Sequence, residues 1–387
     1  MQDRSARPFW LASAGAGALA AAGAAASHYM ESHGHIVTGM GNEIVWGLPH
    51  VFAIFMIVAA SGVLNVASVG SVFGQAPYKQ RARLSGLLSL ALLGGGLMVL
   101  MLDLGRPERV LVAATQYNFR SVFAWNVFLY SGMAAIVVVY LWTMLQPGMA
   151  RWSQPAGLAA LVWRFVLTTG TGSIFGFVVA RPAYQSALLA PLFILLSLAW
   201  GLAVFIVAQK SLYGRRELPW SSELRSRMAR LLGIFVAASL YLVAVLHITG
   251  LYEARRGAFE AFLLLGQGGG ARFAWMFWLG YVVIGSLLPM LLVFHPRLGR
   301  ERCVLGAAVL VVLGAFAWLF AFIIGGQAFP LEIFSGYAVS SSFGDGLVAS
   351  YAPSVPEWTL GLGGVGTAVL VVLVGARLFD MAPHDPA

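Results

Sequence analysis

Apolar residues run along this chain in blocks of about twenty, each closed by a short polar, glycine- or proline-bearing stretch, and blocks of that length predict helices that cross a bilayer. They fall at 8–28, 44–73, 84–103, 122–145, 157–180, 186–209, 228–249, 273–294, 303–325 and 359–380. Within them the apolar positions are continuous rather than alternating, so helices are expected and not the strands of a barrel. The predicted architecture is an all-α polytopic membrane protein of about ten transmembrane helices. Spans 2–5 and 6–9 are expected to form two four-helix bundles, with spans 1 and 10 peripheral. The chain then reads as one integral membrane domain. Residues 1–43 hold the first span and outer loop, 44–180 the first bundle, 186–325 the second, 326–358 a long outer loop, and 359–387 the last span and tail.

Composition agrees with this pattern. Of 387 residues 59% are hydrophobic and 10% are charged, far below the roughly 25% charged of a soluble domain. The 45 glycines suit close helix–helix approach in lipid. The net charge of +9 would point to nucleic acid in a soluble protein. Here the basic residues sit between spans, so nucleic acid is not an expected partner. Lys79, Arg81, Arg83, Arg151, Lys210, Arg215, Arg216, Arg297 and Arg300 all fall in even-numbered loops, whereas the first and ninth loops carry no Lys or Arg. The positive-inside rule places both termini in the cytoplasm. The first span ends Ala24-Ala25-Ala26-Ser27, which also fits a cleavable leader; it is expected to be retained. The single cysteine, Cys303, excludes an internal disulfide and a thiolate-held cluster.

Candidate chemistry gathers at the outer ends of three spans. Trp46-Gly47-Leu48-Pro49-His50 opens span 2, and its face continues through Ser61, Asn65 and Ser68 at helical spacing. Those small polar residues fit a proton wire, and equally plain interhelical hydrogen bonding. An ionisable group such as His50 is costly near lipid unless it is used or hydrated. Asp103-Leu104-Gly105-Arg106-Pro107-Glu108-Arg109 closes span 3, followed by Tyr117-Asn118-Phe119-Arg120-Ser121. A carboxylate there can exchange a proton, while Arg106 or Arg120 can tune it or hold a carbonyl oxygen; a rigid salt-bridged loop is the structural alternative. His247, with Tyr252 and Glu253 just beyond, ends span 7 at the same face. His50, Asp103 and His247 are therefore the expected proton-handling groups, with Trp46, Asn65, Arg106, Asn118, Arg120 and Tyr252 as ligand-binding neighbours. Arg164 within span 5 either snorkels toward the cytoplasmic side or faces a polar interior with Thr168 and Thr171. No histidine lies mid-span, which disfavours stacked b-type haems, although His50 and His247 at similar depth leave one bis-His haem open.

The run Leu102–Arg109 with Asn118-Phe119-Arg120-Ser121, together with Gly62–Gly74, Tyr78-Lys79 and Trp125-Asn126, resembles the NrfD/PsrC-like family of integral membrane subunits. The resemblance is densest over residues 44–145, and within the family it leans toward the ten-span DsrP-like branch, with the HybB-like branch next. It implies a bacterial inner-membrane subunit with no bound redox cofactor or metal of its own. Such a subunit takes menaquinone or ubiquinone as substrate near the outer face and works with other membrane subunits in lipid. It exchanges electrons with a periplasmic iron–sulfur subunit and a multihaem cytochrome, in sulfur metabolism for the DsrP-like branch. Three other readings compete. A secondary transporter needs a midplane ionisable site and broken helices; the acidic residues here lie at the rims. A structural anchor would tolerate free substitution of the outer polar residues. A haem-b quinol-oxidising subunit would show itself in a visible spectrum.

Overall fold

The computed structural model describes residues 6–213, 221–295, 301–331, 346–379 and 381. Expectations placed on Arg215, Arg216, Arg297, Arg300 and the middle of the ninth loop lie outside these residues. Among the described residues there is no strand, and ten helices are long and apolar enough to cross a membrane. In chain order they are α1 (Ala6–His33), α2 (Leu48–Ser71), α3 (Ala82–Leu102), α4 (Val122–Leu145), α5 (Ser153–Gly176), α6 (Leu189–Tyr213), α7 (Ser222–Tyr252), α8 (Ala271–Phe294), α9 (Glu301–Ala328) and α10 (Val355–Leu378). The chain is an integral, multi-pass membrane protein.

The helix ends follow from local chemistry. Ser121 and Ser221 cap α4 and α7 by accepting from Ala124 N and Leu224 N. Ser354 and Glu357 close a reciprocal capping box at the start of α10, satisfying amides that have no partner within the helix. The N-cap of α2 is Gly47, which has no side chain to cap with. Span 2 therefore starts at Leu48 rather than at 44, and Ile44, Val45 and Trp46 precede it as non-helical chain.

The centre of the protein is α2, which is buried along most of its length. It packs on α3, α5, α6 and α10. The crossing with α6 is made backbone to backbone. A Cβ placed on Gly201 would lie 2.2 Å from the Gly62 carbonyl carbon, an approach only small residues permit. The crossing ties α2 to α6, and span 10, expected at the periphery, instead packs on α2 and α3. The first helix lies outside them against α10, with Gly23 facing Gly363. Two stretches, Met276–Leu287 in α8 and Phe320–Gly325 in α9, are wound as π-helix. Such segments are rare and recur near functional sites; the second ends just before Gln327, which holds the chain leading into α2.

Candidate functional site

His50 stands on the first turn of α2 and Asp103 caps the C-terminal end of α3. Adjacent antiparallel helices bring these two ends to one rim, and Nδ1 of His50 lies 2.8 Å from Oδ2 of Asp103. Asp103 is 5% exposed. The imidazole N–H is not aligned on the carboxylate, and no hydrogen-bond donor among the described residues satisfies either oxygen. Burying a carboxylate is costly unless a polar partner lies beside it, and the His50 imidazole occupies that place. His35 packs against Gly105, two residues past Asp103, and adds a second imidazole to the same rim.

An aromatic wall completes this corner. Trp46 stacks on His50 with ring centroids 6.2 Å apart and also meets Phe123, Phe175 and Tyr184. The backbone of Trp46 is gripped from the far half of the chain. Gln327 Oε1 accepts from Val45 N and Trp46 N, both at 3.0 Å, and Gln327 Nε2 donates to Trp46 O at 3.0 Å and to Ile323 O at 2.9 Å. Arg181 ties the same segment down, donating to Glu43 O at 2.8 Å and to the Gln327 and Phe329 carbonyls. Burial lowers the proton affinity of this guanidinium, with Tyr184 and Glu43 partly offsetting it.

His247 pairs elsewhere. Its Nδ1 lies 2.7 Å from Oε2 of Glu260, a fully buried residue on the short outer helix Gly257–Leu265, and Arg256 approaches the other carboxylate oxygen at 3.6 Å. Phe277 packs edge-on against the imidazole. Among the described residues there are thus two imidazole–carboxylate pairs with a buried carboxylate, one at the α2–α3 end and one between α7 and the helix Gly257–Leu265.

The remaining expected ligand-binding residues take other positions. Asn65 donates to Gly62 O at 2.6 Å within its own helix. Arg106 and Arg120 are exposed, and Tyr252 is 92% exposed. Asn118 accepts from the Arg120 amide at 3.0 Å, and Trp125 Nε1 donates to Phe119 O at 2.9 Å. The Asn118–Ser121 run thus builds the turn that starts α4, as Asn and Ser side chains commonly do. Arg164 sits midway along α5 and does not snorkel: it is 2% exposed, lies over the Phe165 ring, and leaves Nε and Nη1 without hydrogen-bond partners. Ser61 donates to its carbonyl at 3.2 Å. Among the described residues no three His, Cys, Asp or Glu side chains gather in a group that could hold a metal ion.

Glu260, Gln327, Arg181, Tyr351 and Glu357 are part of these rims and were not singled out by sequence. Glu260 meets His247 only 13 residues away, but the others have distant partners, 303 residues for Leu48 and Tyr351 and 318 for Gly39 and Glu357. No local pattern carries such a signal.

A helical protein with ten helices long and apolar enough to cross a bilayer is an integral membrane protein. More specifically, the chain belongs to the NrfD family: the family model described as polysulphide reductase, NrfD, matches residues 36–331. It is 30% identical to the Hdr-like menaquinol oxidoreductase integral membrane subunit of Archaeoglobus fulgidus, over 92% of this chain and 90% of that protein. It is 28% identical to a putative dimethyl sulfoxide reductase membrane subunit of Halobacterium salinarum, over 92% and 88%. The protein NrfD of Escherichia coli is 25% identical over 70% of this chain and 90% of its own length. The first two relatives are, by name, membrane subunits of oxidoreductases.

Proposed function

We propose that this chain is the quinone-reactive subunit of a multi-subunit oxidoreductase in a bacterial inner membrane, with both termini in the cytoplasm. The observation that carries the proposal is the buried His50–Asp103 pair beside the Trp46 wall. A quinol head group lodged there is oxidised to the quinone, losing two electrons and two protons. His50 takes one proton and Asp103 the other, each a group that can act as a base at a hydrated rim. Both protons then leave to the outer aqueous phase. The electrons pass to a periplasmic iron–sulfur partner, with a multihaem cytochrome beyond it. In the reverse direction the same groups supply protons to a quinone. The relationship to a menaquinol oxidoreductase subunit favours menaquinone over ubiquinone, and the sequence motifs favour a DsrP-like place in sulfur metabolism. Arg106, Asn118, Arg120 and Tyr252, facing outward, are better placed to meet a partner or lipid head groups than the quinone.

The test is quinol turnover by the assembled complex. His50→Ala and Asp103→Asn should each abolish turnover while leaving the subunit in the membrane with its partners. Parental rates in both variants would refute the assignment.

A further inference from the structure

The rim behind His50 contains a buried carboxylate that the proton chemistry above does not use. Glu357, at the start of α10, is completely buried and accepts from three donors: Gly39 N and Ser354 N at Oε2, both at 2.8 Å, and the Tyr351 hydroxyl at Oε1, at 2.5 Å. Three donors offset the cost of burying this carboxyl group. Tyr351 is itself fixed, since its carbonyl accepts from Arg272 Nη1 at 2.8 Å. With its hydrogen spent on Glu357, the Tyr351 oxygen is left as an acceptor, and it takes the amide of Leu48 at 2.6 Å. That amide is the first of α2 and has no partner within the helix. Tyr351 therefore caps α2 from 303 residues away, two residues before His50. The fit is tight: a Cβ on Gly47 would lie 2.5 Å from Glu357 Oε1 and 2.8 Å from the Tyr351 hydroxyl.

We propose that Tyr351 and Glu357 are positioning residues for the His50–Asp103 pair. Glu357 aims the Tyr351 hydroxyl, and that hydroxyl fixes the helix end from which His50 meets Asp103. This rests on the proposed quinone site. Burial, then Glu357, raises the proton affinity of the Tyr351 oxygen, and Asp103 acts on it in the same direction. The hydroxyl thus keeps its hydrogen and lies within electrostatic reach of the pair. Both residues fall beyond the stretch matched by the family model.

The experiment uses the intact complex and dye-coupled oxidation of a short-chain menaquinol analogue. Tyr351→Phe removes the acceptor of the Leu48 amide and the donor to Glu357 while keeping the ring. kcat should fall about tenfold, the equivalent of one misplaced hydrogen bond of about 1.4 kcal/mol, with KM within about twofold because the Trp46 wall is untouched. In the Glu357→Gln background, Tyr351→Phe should cost nothing further, since the two residues act through one hydrogen bond. If Tyr351→Phe fails to assemble, Glu357→Gln, which keeps the shape but cannot accept three donors, should show the same loss confined to kcat. Parental kcat in Tyr351→Phe, or in Glu357→Gln where that is the variant read, would overturn the proposal. So would a rise in KM alone, or losses that multiply in the double variant. Full turnover by His50→Ala would instead overturn the quinone site itself, so the two failures are distinguishable.

Discussion

Gln327→Leu isolates the clamp on the Trp46 segment. The parent side chain makes three hydrogen bonds to that segment, accepting from Val45 N and Trp46 N and donating to Trp46 O, each at 3.0 Å. Leucine keeps much of the volume in a site that is 3% exposed but satisfies none of the three backbone groups. At about 1 kcal/mol for each bond lost, the segment is released by roughly 3 kcal/mol. That corresponds to an opening equilibrium about a hundredfold larger. Hydrogen–deuterium exchange of the purified protein in detergent reads this directly. The Val45 and Trp46 amides should exchange about a hundredfold faster, while amides in the middle of α2 keep their protection. Because Trp46 packs on His50, KM for quinol should rise in the same variant. Unchanged exchange at Val45 and Trp46 would refute the reasoning. Equal acceleration throughout α2 would do so too, by showing that Gln327 supports the whole helix and not its approach.

Gly201→Ala should prevent stable assembly, because the added carbon meets the α2 backbone at Gly62 and neither helix can move aside; normal yield and a parental melting midpoint would contradict the close crossing. Glu260→Leu should lower the thermal midpoint sharply, since it leaves His247 and Arg256 buried without their counter-charge, a loss of about 3–5 kcal/mol for a broken buried pair. The double change Glu260→Leu with His247→Leu should recover part of that loss, and a double variant no more stable than the single one would show that the pair is not the source of the cost.

The spans were legible in the sequence because hydrophobic length is a local property, and the structure's ten helices fall where the apolar blocks do. The discrepancy at the start of α2 is instructive. Ile44, Val45 and Trp46 are as apolar as the helix that follows, yet they remain non-helical because Gln327 and Arg181 satisfy the backbone of this segment from outside. The meeting of His50 with Asp103 was foreseeable, since one opens a span and the other closes the next. The partner of His247 was not. Glu260 lies on a short outer helix that hydropathy reads as loop, and its burial depends on packing against Gly250. Asn118 and Arg120 show the converse: residues that look chemical in a motif can serve a turn, and only three-dimensional placement separates the two roles.

A quinone head group is proposed to lie against the His50–Asp103 pair and the Trp46 ring. The most direct measurement is photolabelling of the intact complex in membranes with an azido-naphthoquinone, followed by peptide mapping. Label is predicted on residues 46–54 and 101–106, displaced by excess menaquinone analogue and lost in Asp103→Asn. Displaceable label confined to the α7–α8 rim around His247, or label indifferent to Asp103→Asn, would contradict it.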